Sequence, residues 1–311
     1  MCNRFGGGYE SLRLICRFAV PLFFITSGFL FFGRLRGAST KEQNKSLRKF
    51  LCRGLRLYIS WMVLLLPFTI YYRQWFKMGV LKVVVSFATN LLFGSTFIAS
   101  WYLMALLIGT MIIAVTSRKL SNTTLFALSF VIYLVCCAWS GYGNLIGLPV
   151  VNGWPQIYNS FPVSLIWLTI GKIIAENKGR VCSWKYTILI ISAVLYIAEY
   201  VTCIRFDWAN NTDSLITMIP VCSAIFMIIV DSSVNIGNQG RFLREISTVS
   251  YCLHASVGVV LGVVFKLLFK ANMESGVWMA TRYASTVLIC VTATMAIKRL
   301  ERHVKIARWL Y

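Results

Sequence analysis

The sequence predicts an all-α protein, a polytopic integral membrane bundle of about nine transmembrane helices. Of the 311 residues, 58% are hydrophobic and only 13% are charged, and the mean hydropathy is +0.71. Such a composition is too apolar for a water-soluble core with a polar surface. The apolar residues form stretches of the length that crosses a bilayer, about 20 residues. We expect residues 1–311 to form a single membrane-embedded domain.

Nine apolar stretches along the chain predict the helices. The first contains Pro21, which is expected to bend the helix, and Ser27 and Gly28, which would allow close backbone approach or line a cavity. Further along, the uncharged run 120–171 is divided by glycines and prolines between 141 and 155 into two helices and an outer loop. The predicted helices lie near residues 15–33, 54–72, 98–117, 122–140, 160–175, 185–204, 213–231, 246–267 and 278–297.

Basic residues lie mainly in alternate connections between these stretches. The formal net charge of +21 could indicate a nucleic-acid partner, but the distribution of the 31 basic residues follows membrane topology instead. Because cytoplasmic loops are rich in Lys and Arg, the basic segments and the C-terminus are predicted to be cytoplasmic and loop 141–160 external. With nine helices, the N-terminus would then be external. The basic segments are 34–56, 118–119, 172–185, 241–244 and 298–308.

Motifs of soluble enzymes are missing from the sequence. The ten cysteines are scattered, mostly within apolar runs, without the spacing of metal ligands. No Gly-rich phosphate loop, zinc motif or nucleophile elbow is present. We therefore predict no metal site, no bound cofactor and no nucleic-acid partner.

The first apolar stretch carries a family resemblance. The run RFAVPLFF at 17–24, followed by Ser27 and Gly28, closely resembles the second-helix signature of the membrane acyltransferase 3 family, bacterial enzymes that O-acylate surface sugars. Three further elements resemble the family in order. They are the basic entry to its third helix (Arg53, Arg56 and Tyr58, ahead of Trp61), its Trp-containing fourth helix (Trp101, Tyr102 and Leu103) and its late Ser-Tyr-Leu-His element (246–254).

The resemblance also implies a segment that this sequence does not show. The family has ten helices, and its first helix carries an arginine and the histidine usually regarded as catalytic. We expect that this chain lacks that helix, which also explains the external N-terminus. On this interpretation the 311 residues alone transfer acyl groups very weakly or not at all, and an in-frame upstream helix would restore activity.

The resemblance implies transfer of an acetyl group from acetyl-CoA to a carbohydrate or a lipid-linked sugar at the bacterial cytoplasmic membrane. Arg53 and Arg56 share a helix face and could hold the phosphates of coenzyme A, or they could be ordinary positive-inside anchors. His254 lies about eight residues into an apolar helix. It is the best general-base candidate here, and a neutral packing residue is the alternative.

Four further residues are candidates for contact with the acceptor: Arg17, Ser27, Trp101 and Glu199. Arg17 could instead extend to the membrane interface, while the shorter Glu199 would face protein. A second class of function is kept open, a non-catalytic membrane transporter or flippase for a polysaccharide or lipid-linked sugar. An odd number of helices without visible inverted repeats argues mildly against it.

Overall fold

The computed structural model describes residues 14, 16–97, 100–148, 157–177, 183–232, 239–270, 272 and 275–311. Within these ranges every regular element is helical, as predicted. Three short 3-10 segments, Trp75–Lys77, Ile157–Asn159 and Lys305–Leu310, accompany the α-helices. The α-helices are α1 (Ala19–Arg34), α2 (Thr40–Leu64), α3 (Leu66–Tyr72), α4 (Val80–Phe93), α5 (Trp101–Thr116), α6 (Asn122–Trp139), α7 (Phe161–Glu176), α8 (Lys185–Arg205), α9 (Met218–Asp231), α10 (Gln239–Phe269) and α11 (Gly276–Glu301).

Several helices are long and apolar enough to cross a membrane. Among the described residues, α6, α8, α10 and α11 meet this criterion by length and composition. Helices α2 and α3, which meet at a bend of 63°, add a fifth if they form one span. A chain of this kind is a helical multi-pass membrane protein. Nine spans stay a prediction, because α1, α4, α5 and α9 are shorter apolar helices.

The largest differences from the sequence-based helices concern two elements. The helix expected near 54–72 begins at Thr40, because Ser39 and Glu42 form a capping box. The Ser39 backbone N–H and hydroxyl both donate to Glu42 Oε2 at 2.8 Å, so a charged segment that was assigned to a loop is helical. The second element, α4, was not predicted, since its 14 residues are fewer than a membrane span requires. Residues 149–156 of the predicted outer loop lie outside the described residues.

The chain divides into two compact units, the first of which comprises the described parts of 1–52, 89–94 and 101–233. At its centre is α7, which packs against α1, α5, α6 and α9. Nearly all of its side chains from Val163 to Lys172 are buried, polar Ser164 and Thr169 included. A helix that is apolar on all sides is typical of such an enclosed position.

Helices α1 and α7 approach each other closely through glycine. A Cβ atom added to Gly28 would lie 2.5 Å from the Leu168 carbonyl oxygen, and one added to Gly171 would lie 2.2 Å from the Ile25 carbonyl oxygen. Gly28 therefore serves backbone approach rather than a cavity. The bend expected at Pro21 stays a prediction: this residue lies in the first turn of α1, where its missing N–H leaves no bond within α1 unmade, and a turn at Arg17 and Phe18 precedes the helix.

The second unit comprises the described parts of 53–88, 95–100 and 234–311. Its main helix pair is α10 with α11, and the 3-10 segment Lys305–Leu310 packs against α11. That segment is also fixed to α2, since Trp61 Nε1–H donates to the Leu310 carbonyl oxygen at 3.0 Å. Whether the chain is a single functional domain stays a prediction.

Candidate functional site

Ser27 and Trp101 lie in an aromatic cluster between α1 and α5 in the first unit. The Ser27 Oγ is 3.5 Å from the Tyr102 hydroxyl oxygen, at the upper limit of a hydrogen bond. Phe24 packs against both aromatic residues of α5, with ring centroids 4.5 Å from Tyr102 and 6.2 Å from Trp101. Two of the four segments that carry the family resemblance are thus in direct contact.

Glu199 on α8 is bound by four donors of the protein itself. The backbone N–H groups of Ile216 and Thr217 donate to its carboxylate at 2.8 and 2.9 Å, and the hydroxyls of Thr217 and Tyr142 donate to it as well. Because α9 begins at Met218, the carboxylate holds the N-terminal end of that helix, where a negative charge is favoured. Burial and the hydrogen bond to Glu199 raise the pKa of Tyr142 well above its ordinary value. This geometry indicates a structural clamp.

Arg17 pairs with Asp213, four residues before Thr217 in the same connection. The arginine side chain is 8% exposed and that of Asp213 is 40% exposed, so one partner is enclosed while the other reaches solvent. The structure therefore brings Arg17 and Glu199 to the same short segment, 213–217, through different partners. Loss of either contact would release the start of α9.

The two candidate donor-binding arginines lie on the second-unit part of α2, where both are exposed. The guanidinium of Arg56 stacks on Trp309, with its central carbon 5.0 Å from the ring centroid. Such cation–π contacts orient an arginine without neutralising it. Arg56 is thus held by the C-terminal 3-10 segment, and its charge remains able to attract an anion.

His254 is exposed on the surface of α10. Its Nδ1 lies 2.9 Å from the carbonyl oxygens of both Ser250 and Tyr251. Because both partners can only accept, Nδ1 carries the proton in this arrangement. The Nε2 lone pair is then available to take a proton from a hydroxyl, as a general base would.

A cavity of about 640 Å³ lies at the C-terminal end of α11 in the second unit. We call it the cationic cavity, because four of its lining side chains are basic. One wall follows a single face of α11, on which Lys298 and Arg299 lie about one turn after Met295 and Arg302 about two turns after it. The lining residues are Phe242, Met295, Lys298, Arg299, Glu301, Arg302 and Arg308.

Sequence reasoning missed several residues of these clusters. Asp213 and Glu245 were not considered, although the chain contains only ten acidic residues against 31 basic ones. That imbalance could have identified them, since each acidic residue beside an apolar stretch has many basic residues with which it could form an ion pair. Glu245, at 8% side-chain exposure, is paired with Lys298 at 2.6 Å.

The helical architecture, the apolar spans and the clusters at the helix ends together define a multi-pass membrane protein. The chain belongs to the acyltransferase 3 family, because the family model, described as an acyltransferase domain, matches residues 2–297. The family resemblance inferred from residues 17–28, 53–61, 101–103 and 246–254 is thereby confirmed.

The curated relatives of this chain share less than a quarter of its residues. Two proteins of Enterococcus faecalis, both named amino-acid racemase, are similar to this chain. One is 22% identical over 268 residues, covering 82% of this chain and 37% of the relative. The other is 23% identical over 307 residues, covering 93% of this chain and 41% of the relative. The chain thus spans about two fifths of the length of the curated relatives it matches, and no solved structure matches it.

Proposed function

We propose that this chain is a membrane-bound acyltransferase that moves an acetyl group from acetyl-CoA to a hydroxyl of a cell-surface or exported polysaccharide or a lipid-linked sugar. The observation that carries the proposal is the match of the acyltransferase family model to residues 2–297. The protein would lie in the bacterial cytoplasmic membrane with its C-terminus in the cytoplasm, as the basic segments favour.

The chemistry requires a base for the acceptor and a cationic contact for the donor. His254 Nε2 would take the proton of the sugar hydroxyl while the oxygen forms a bond to the thioester carbonyl carbon. The carbon–sulfur bond then breaks, and coenzyme A leaves as a thiolate that accepts a proton. Exposed Arg53 and Arg56 would attract the phosphates of the donor from the cytoplasm.

The test is acetylation of surface glycan in a host that has no O-acetyltransferase of its own. The reading frame that encodes this chain would be expressed both as the 311 residues and with any in-frame upstream segment. We expect at least one of these forms to acetylate the glycan. His254→Ala should lower the rate about 10² to 10⁴-fold, as expected for loss of a general base.

The matched control is His303→Ala, which removes the other histidine of the chain. His303 follows the end of α11 and is exposed, so this variant should acetylate at the unmodified rate. No acetylation by either form, with normal membrane insertion, would contradict the proposed reaction. Full activity of His254→Ala would keep the reaction and exclude His254 as its base.

The names of the curated relatives favour a second candidate, a membrane protein that handles an amino acid. Both relatives are named amino-acid racemase, and the chain would then change the configuration of an amino acid without transferring an acyl group. Conversion of an L-amino acid to its D-enantiomer by vesicles containing the chain, without incorporation of acetyl groups, would support this candidate. Acetylation of glycan without this conversion would exclude it.

A further inference from the structure

The cationic cavity differs from ordinary clusters of basic residues at the cytoplasmic ends of spanning helices, because two of its cations are fixed by carboxylates. Lys298 Nζ is 2.6 Å from Glu245 Oε2 and lies 5.2 Å from the ring centroid of Phe242. Arg308 pairs with Glu301, to which the Tyr311 hydroxyl also donates. These contacts hold both side chains at the cavity wall.

The other two basic side chains have no carboxylate partner among the residues that the structure describes. Arg299 and Arg302 lie three residues apart at the end of α11, so they share one face, and both are exposed. The ion pairs of Lys298 and Arg308 compensate much of the acidic charge nearby. The cavity therefore keeps a net positive charge that comes mainly from two arginines.

The C-terminal end of a helix normally disfavours a bound anion. The C-terminus of α11 carries the negative end of the helix dipole, which favours cations and disfavours phosphate. Two complete guanidinium charges exceed the partial charge of about half an electron at a helix end. Each guanidinium also offers a planar pair of N–H donors that matches phosphate oxygens.

We propose that the cationic cavity binds the phosphate groups of a phosphorylated ligand, with Arg299 and Arg302 as the direct contacts. Its volume of about 640 Å³ lies within the range typical of small-molecule sites. Phe242 and Met295 supply an apolar wall beside the cations. Phosphate of this kind can come from a nucleotide, such as coenzyme A, or from the headgroup of an anionic lipid.

A nucleotide source rests on the proposed function and connects the cavity with Arg56. Arg308 lines the cavity, and the next residue, Trp309, carries the stacked guanidinium of Arg56. The C-terminal 3-10 segment thus joins both cationic groups within the second unit. A donor with several phosphates could contact Arg299 and Arg302 with one phosphate and Arg56 with another.

The test uses the full chain in nanodiscs of neutral phosphatidylcholine, with binding of coenzyme A and of adenosine 3′,5′-bisphosphate measured by calorimetry. The variant Arg299→Gln/Arg302→Gln should bind about 10- to 100-fold more weakly, as expected when charged hydrogen bonds to phosphate are lost. Its helix content and melting temperature would be compared with those of the unmodified chain, since both arginines are exposed.

The matched control is Arg34→Gln/Arg36→Gln. These arginines line another cavity, of about 490 Å³, in the first unit, together with Lys45 and Glu42. The control removes the same charge from a surface that is also predicted to be cytoplasmic. It should change the affinity for both nucleotides by no more than about twofold, which is the size expected of a general electrostatic effect between exposed groups.

A second arm tests the lipid source by titrating phosphatidylglycerol into nanodiscs and counting retained lipid by native mass spectrometry. Loss of lipid retention only in Arg299→Gln/Arg302→Gln would support the phosphate site with a lipid as its source. Equal losses in both double variants, or no loss of either ligand, would overturn the proposal. Because neither arm measures acyl transfer, the two proposals fail separately: binding of coenzyme A here, with no acetylation of glycan by either the chain or its extended form, would refute the proposed function and leave the site intact.

Discussion

Replacing Gly28 by alanine tests the close contact between α1 and α7. The added methyl would lie 2.5 Å from the Leu168 carbonyl oxygen and 3.1 Å from the Leu168 Cα. Carbon and oxygen normally approach no closer than about 3.3 Å in such contacts, so the two backbones must separate by roughly 1 Å. Both neighbouring atoms belong to the backbone, which cannot move aside as a side chain would.

The expected cost follows from the size of this displacement. A gap of 0.5–1 Å removes about a quarter to a half of the dispersion energy of the atoms that lose contact. Backbone shifts caused by overpacking typically cost about 1–3 kcal/mol. The higher helix propensity of alanine offsets up to about 1 kcal/mol of this cost. Comparison with another glycine of the same helix removes that offset.

Gly33→Ala is the matched control, because its new methyl would meet only the Ala175 Cβ, at an ordinary 3.5 Å. Purified variants would be heated in detergent while helix content is followed by circular dichroism. A difference of about 1–3 kcal/mol should place Gly28→Ala roughly 2–12 °C below Gly33→Ala, at about 2–4 °C for each kcal/mol. Equal melting temperatures would refute the close contact, and with it the central position of α7 against α1.

Three other outcomes are expected. Glu199→Gln should lower the free energy of unfolding by about 1–3 kcal/mol in the same thermal assay, because an amide group cannot accept from all four donors. Asp213→Asn, at a partly exposed site, should lower it by less than about 1 kcal/mol. Coenzyme A should bind more weakly when Arg53 and Arg56 are both changed to alanine, and lysine should substitute poorly; unchanged binding would make them topology anchors. A phosphatase fused after Tyr311 should be inactive, and an active fusion would reverse the predicted topology.

The helical class and the main apolar segments could be predicted because they depend on composition and local sequence. The family could also be inferred, since residues 17–24 and Arg53 with Arg56 form contiguous patterns. The limits of α2 were missed because a capping box, not hydrophobicity, sets its start at Thr40. Similarly, α4 was not predicted because its 14 residues are fewer than a membrane span requires.

The partners of the charged residues could not be predicted, because they are distant in sequence. Arg17 and Asp213 are separated by most of the first unit, and no local pattern specifies which acid an arginine will contact. The pairing of Lys298 with Glu245 could not be predicted for the same reason, because the two residues lie on different helices. For Glu199, the sequence correctly predicted a side chain that faces protein. It did not predict the two backbone N–H groups that donate to the carboxylate.

The enclosed position of α7 has a consequence for the thickness of bilayer that the protein can tolerate. At about 1.5 Å per residue, its 16 residues extend roughly 24 Å, less than the hydrocarbon layer of about 30 Å. A lipid-facing helix of that length would thin the surrounding bilayer. Because α7 is enclosed, its neighbours meet the acyl chains instead, and three of them, α1, α5 and α9, are no longer than α7. We therefore expect a thinner bilayer beside these helices than beside α8, whose 21 residues extend about 31 Å.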